Sequence, residues 1–209
     1  MMRKLVMVGL VLLAPLGALA QGTANTVELT PLVGYMFGDT LARGTTSTFD
    51  FDVTIDDATA YGLRAGYRFN ENWGLEGTLI HERADLVTGH GELFGGQSTI
   101  GQIDVTTGEI GVEGSFGHHR FVPFLAGGIG ATVLDPRLAG MSSDTRFTVG
   151  LGTGFKLFFT PKLALRFDWR AHGVNVGDRR QDCHWWEDCA HNDEWITLKE
   201  VSLGLTFVL

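Results

Sequence analysis

Three features of the 209-residue sequence predict an all-β fold, an eight-stranded antiparallel up-and-down β-barrel that crosses a membrane. Eight segments alternate apolar and polar residues with period two. Most approach the roughly 9–11 residues that a tilted membrane-spanning strand needs, against about five or six in soluble sheets. The connections between them also alternate between short and long, a habit of barrels that span an outer membrane.

Taken in order, Val27, Leu29, Pro31, Val33 and Tyr35 share one face of the first segment, opposite Glu28, Thr30 and Gly34. Tyr61, Leu63, Ala65, Tyr67 and Phe69 then oppose Gly62, Arg64, Gly66 and Arg68, and Trp73, Leu75, Gly77 and Leu79 oppose Glu76 and Thr78. The parity switches for Ile110, Val112 and Phe116, which oppose Glu109, Gly111, Glu113 and Ser115. A less regular run follows, with Leu125, Ile129 and Val133 against Ala126, Gly128, Gly130 and Thr132. Phe147 to Phe159 sets Val149, Leu151, Phe155 and Leu157 against Thr148, Gly150, Gly152, Gly154 and Lys156. The stretch LALRFDWRAH (163–172) places Arg166, Asp168, Arg170 and His172 on one face, and Glu200, Ser202, Gly204 and Thr206 share the polar face of the last segment.

Tight turns are expected at Asn70–Asn72, Gly117–Arg120 and Thr160-Pro161, and long loops at Gly38–Asp57, Arg83–Gly101, Asp135–Thr145 and Gly173–Glu194. Tyr67, Phe69, Trp73, Phe116, Phe121, Phe159 and Phe207 fall near the short-turn rim, and Tyr35, Tyr61, Phe147, Trp169 and Trp195 near the other, as two aromatic girdles.

Period two does not by itself say which face points outward. A secreted lipocalin-like barrel would carry the same alternation with its apolar side inside. In a membrane the charged face must be the lumen, because each cation turned toward lipid costs roughly 2–4 kcal/mol near the midplane. Arg64, Arg68, Lys156, Arg166 and Arg170 would together cost roughly 10–20 kcal/mol, as much as the roughly 5–15 kcal/mol stability of a whole domain. The lumen would then hold those cations with Glu28, Glu76, Glu109, Glu113, Asp168 and Glu200, in a bore just wide enough for side chains to fill. A paired network closing the bore is one expectation, with lumen glycines making room for it; ordinary solvated lumen charges are the other.

The chain opens with Arg3 and Lys4, an apolar run from Leu5 to Leu13, and Ala18-Leu19-Ala20, the pattern of a cleaved export signal over residues 1–20 followed by one domain over 21–209. Arg3 and Lys4 are two of 16 cations against 24 acids, so the mature chain would carry about −10 and nucleic acid is not an expected partner.

Segments such as AYGLRAGYRFNENWGLEG, FVPFLAGGIGA, FTVGLGTGFKLFFTPKLALRFDWRAH and VSLGLTF resemble the small eight-stranded outer-membrane barrels, the family of the outer membrane protein A transmembrane domain. The resemblance implies integral residence in the outer membrane, contact with its lipids and lipopolysaccharide, and assembly through a C-terminal aromatic signal read by the barrel-assembly machinery. Here Phe207 is third from the end, before Val208-Leu209.

The outer loop DCHWWEDCAHNDEW holds both cysteines, Cys183 and Cys189, expected to form a disulfide in an oxidising compartment, with a Cys183/His184/Cys189/His191 zinc site as the alternative. Trp185 and Trp186 are candidate contacts for a surface ligand. FDFDVTIDD keeps the odd parity of the following segment, so Phe49, Phe51, Val53 and Ile55 are expected to share the face of Tyr61 on a hairpin continuing past the membrane. Its Asp50, Asp52, Asp56 and Asp57 read as a solvated edge or, less simply, a cation site. Gly150-x-Gly152-x-Gly154 lies inside a strand with no following helix and is read as a lumen stripe, not a nucleotide loop.

No nucleophile elbow, H-E-x-x-H or converging Ser/His/Asp set stands out, leaving His81 and His172 as isolated candidates, and neither an enzyme nor a cofactor is expected. The expected function is structural or surface-interacting, with a lumen closed or narrowly conducting. A small ion or solute pore and a loop-borne adhesin are the rivals.

Overall fold

The computed structural model describes residues 24–38, 40–45, 50–89, 98–117, 120–137, 142–176 and 195–209. Ten strands run in chain order: β1 (Thr26–Phe37), β2 (Thr40–Thr45), β3 (Asp50–Ile55), β4 (Ala58–Arg68), β5 (Trp73–Gly89), β6 (Ser98–Ser115), β7 (Phe121–Pro136), β8 (Asp144–Thr160), β9 (Leu163–Asn175) and β10 (Trp195–Val208). Every pairing is antiparallel, and β1 with β4 to β10 form a closed eight-stranded ring, sealed by β1 against β10 and β5 against β6. None of the described residues is helical.

Closure follows from the pattern. The last segment keeps one parity throughout, so Leu29 can face Phe207 and Tyr35 can face Val201 with both apolar sides outward. No strand edge is then left to meet lipid with bare N–H and C=O groups.

The outward face is apolar and bare: Ile110 is 70%, Leu151 66% and Ile129 61% exposed. An apolar exterior with a charged interior is the reverse of a lipocalin, and it is a surface that only lipid covers. Both groups of girdle aromatics lie on this outer face, from Trp73 and Phe121 at the short-turn rim to Tyr61 and Phe147 at the other.

Two expectations need correction. Strands run into the segments expected as long loops: β5 reaches Gly89, β6 begins at Ser98, β7 reaches Pro136 and β8 begins at Asp144. Continuing the ladder satisfies backbone groups that a loop would leave to water, so the wall stands above the membrane on the long-loop side.

The second correction concerns parity in the β2–β3 hairpin. β3 pairs with the upper part of β5 on the same line as β4, Ile55 opposite Leu86 and Ala60 opposite Glu82, which leaves one extra residue on the β3–β4 side. That irregularity, at Asp56 and Asp57, flips the alternation. Ile55 is therefore buried inside the barrel while Tyr61 points outward.

Candidate functional site

Strand β9 alone displays the layering of the bore. From the short-turn end, its inward residues are Ala164, Arg166, Asp168, Arg170, His172 and Val174, a charged stretch between two apolar ends. The neighbouring strands repeat this order. Val122, Phe158, Ala164 and Val208 form an apolar cluster at the short-turn end. Met36, Ile55, Ile80, Leu86, Ile103, Val105, Leu134, Val174, Ile196 and Leu198, with small alanines, form a larger one at the long-loop end.

Between the two clusters the structure brings together all eleven charged side chains read from the sequence, none more than 6% exposed. Arg166 lies at the centre, with Nη1 2.6 Å from Glu76, Nη2 3.2 Å from Glu113 and Nε 2.9 Å from Asp168. Arg170 Nη2 reaches Glu76 at 2.5 Å and Asp168 at 3.1 Å. Arg64 grips Glu200 with Nη2, 2.8 and 2.9 Å from its two oxygens, and places Nη1 3.2 Å from Asp168.

Lower in the bore, Lys156 Nζ bonds Glu28 and lies 2.7 Å from Glu113, which also accepts from Arg68 Nη1 at 3.0 Å. Phe124, fully buried, lies beneath these cations, its ring centroid 4.4 Å from the Arg166 guanidinium carbon and 5.6 Å from Lys156 Nζ. An aromatic face there offers attraction to a cation on a side no carboxylate reaches.

Glycines on β8 make the fit possible. A Cβ at Gly152 would collide with the Arg170 side chain, and one at Gly150 would stand 2.6 Å from Glu109 Oε1. At Gly154 the space is taken first by the Phe167 backbone carbonyl of the neighbouring strand and then by the Phe124 ring, so this glycine serves close strand packing and the aromatic floor and not a charge.

Several participants were read in the sequence only by their polar face, as were Thr132, Thr148 and His172, or not at all, as were Glu82 and Thr107. His172 is fully buried, Nδ1 2.8 Å from Glu109 and Nε2 3.1 Å from Glu200, an arrangement that suits a doubly protonated ring because both partners are carboxylates. Glu82 lies above it, buried, with Oε1 lacking a hydrogen-bond partner among the described residues. A hydroxyl ladder, Thr107 to Thr132 at 2.9 Å and Thr132 to Thr148 at 2.7 Å, crosses three strands at the upper edge of the charged layer. Their signal was present as inward parity; what was missing was the rule that polar residues at one height join.

Among the described residues, the charged layer leaves little free space. Two voids of about 10 Å³ each flank Glu76, one toward Gly128 and Arg170 and one toward Glu28 and Arg68. Each is at the lower limit for a single water.

Other candidates do not converge. His81 points outward and bonds Thr106 at 2.8 Å, on the opposite side of the wall from His172. Asp57 accepts from the Gly38 N–H at 3.1 Å and Asp56 from the Asp57 N–H at 2.9 Å, turn-capping contacts at the hairpin base. Cys183, Trp185, Trp186 and Cys189 lie outside the described residues, as do the side chains of Asp50 and Asp52.

With a closed barrel, an apolar belt and a charged interior in place, the comparisons are decisive at the level of family. The family model "outer membrane protein beta-barrel domain" matches residues 7–207. The chain belongs to this outer-membrane β-barrel family. Among solved structures, the barrel is similar to OprG of Pseudomonas aeruginosa (TM-score 0.58, 13% identity, covering 90% of this chain and 98% of that one). It is also similar to Neisserial surface protein A (0.56, 15%, 87% and 96%) and to the N-terminal barrel of Pseudomonas aeruginosa OprF (0.53, 12%, 89% and 98%). No curated protein sequence matches it. At these identities the structural likeness establishes the fold, and the outer-membrane barrel is an integral protein of that membrane.

Proposed function

We propose that this outer-membrane barrel is a sealed, non-catalytic element of structural and surface-interaction type, whose bore passes no solute and whose work is done by its wall and its outer end. One observation carries the reading: the bore is filled at three successive heights, by an apolar cluster, a paired charge layer and a second, larger apolar cluster. Ions entering from either end would have to cross apolar packing, interrupted at the long-loop end only by Glu82 among the described residues, before reaching the paired charge layer, and carriers of apolar solutes would need the opposite lining at the midplane. The protruding walls of β5 to β8 and the β2–β3 hairpin support a role outside the membrane.

Osmotic swelling of vesicles containing the refolded protein tests this, with insertion verified by the faster-migrating folded band on unheated gels. Swelling in small sugars and in salts should match that of protein-free vesicles. Size-dependent swelling above that baseline would replace the sealed element with a pore.

A further inference from the structure

Glu82 is a buried carboxyl that the paired layer beneath it does not use. It projects inward from β5 between Ile80 and Ala84, opposite Ala60 on β4 and Val105 on β6, and all four of these neighbours belong to the upper apolar cluster. The side chain is 1% exposed, and its Oε1 has no hydrogen-bond partner among the described residues. An ionised carboxylate is strongly disfavoured in such surroundings, whereas the neutral acid has far less to lose by leaving water.

The charges below point the same way. The five cations of the paired layer face six carboxylates, and Glu82 makes a seventh. His172 on β9 supplies a further positive charge when both ring nitrogens carry protons, and each nitrogen has a carboxylate acceptor: Glu109 on β6 at 2.8 Å and Glu200 on β10 at 3.1 Å. With one more proton on Glu82, six positive charges meet six negative ones. The other charges at this end are engaged elsewhere. Arg64 on β4 holds Glu200 and Asp168, Arg170 on β9 holds Glu76 and Asp168, and Arg146 on β8 lies 2.5 Å from Asp144. Strand β7 presents only a hydroxyl there, Thr132, bonded to Thr107 and Thr148. Among the described residues no three His, Cys, Asp or Glu side chains are placed to hold a metal ion, so protons are the species that balance the count.

We propose that Glu82 and His172 form a proton-binding site at the outer end of the bore, Glu82 held as the neutral acid and His172 as the imidazolium, and that releasing these protons loosens the upper apolar cluster. Release to water would leave two uncompensated negative charges beside apolar packing. Ile55 of β3 belongs to that packing, so the β2–β3 hairpin loses its inner anchor at the same time. Above about pH 7 the unfolded chain has given up both protons, and a folded state that keeps them therefore loses stability as the pH rises. The device couples the pH outside the membrane to the order of the outer end. It needs the filled upper bore and is independent of any outer ligand.

The protons can be observed in the wild type itself. Nitrogen-15 spectra of the refolded barrel in lipid bilayers at neutral pH, with His172 assigned by His172→Gln, should show both ring nitrogens protonated. The infrared spectrum should contain a protonated-carboxyl band that Glu82→Gln removes. Glu82→Gln keeps the shape of the neutral acid, so its denaturation midpoint should match the wild type at neutral pH and fall less than the wild type as the pH is raised. At one alkaline pH, where intrinsic exchange rates are the same, β3 amides should exchange faster in the wild type than in Glu82→Gln. A singly protonated His172 ring at neutral pH would overturn the site, as would a protonated-carboxyl band that is absent or persists in Glu82→Gln. Identical curves of midpoint against pH for wild type and variant would overturn the switch.

Discussion

Lys156 offers the sharpest probe of whether the bore is a dry, paired network or a set of solvated charges. Its ammonium, 1% exposed, bonds Glu28 and lies 2.7 Å from Glu113. Lys156→Met preserves most of the side-chain volume and removes the charge. Glu113 would keep Arg68 at 3.0 Å and Arg166 at 3.2 Å, but Glu28 would be left with Arg68 alone, at 3.8 Å. A buried carboxylate without a close partner places the loss at about 3–5 kcal/mol. Glu28→Gln alone leaves Lys156 on Glu113 and should cost less, about 1–3 kcal/mol. In the double variant the orphaned charge is gone, so the two losses should not add, and the coupling should be about 1–3 kcal/mol. Denaturant titration of the refolded barrel in lipid vesicles, followed by tryptophan fluorescence, measures all three differences. Single losses below about 0.5 kcal/mol that simply add would mean that water already screens these charges, and the paired-network argument would fail.

Three other expectations follow from particular contacts. Ile55→Ala should destabilise the barrel by about 2–4 kcal/mol and raise amide exchange in β3, because Ile55 belongs to the upper apolar cluster; an effect no larger than that of an exposed-site change would place it outside. Gly152→Val should cost about 1–3 kcal/mol by pressing on the Arg170 side chain, and Arg170→Ala in that background should recover part of it; strict additivity in the denaturant titration would exclude the clash. The hydrogen bond from Arg83, joined by that from Arg137, holds the Asp104 carboxyl below its ordinary value of 3.8. A carboxyl depressed in the folded state contributes stability that is complete above about pH 4 and is lost as the pH falls through the folded value. Carbon-13 titration of Asp104 should show Arg83→Ala moving the midpoint up, and an unchanged midpoint would contradict the pairing.

Much of the architecture was legible because period two is a direct consequence of strand geometry, and lipid permits little compromise on which face carries charge. The even face of LALRFDWRAH was readable for that reason, as was the meeting of the first and last strands. Ile55 was not, since a single extra residue at Asp56 and Asp57 exchanges the two faces without any compositional mark. The upper apolar cluster escaped for a different cause. Ile80, Val174 and Leu198 have inward parity but are the same residue types that face lipid, and only their common height in the closed barrel makes them a plug. Height also decides which charges pair: Arg166 meets Glu76 and Glu113 across the bore, a relation no spacing along one strand expresses.

The central claim is that the bore is sealed, and single-channel recording in planar bilayers tests it most directly. The inserted wild-type barrel should show no steady conductance in molar salt across the voltage range that the bilayer withstands. Reproducible, ion-selective unitary steps from protein that migrates as the folded band would contradict the account and make the bore a conduction path.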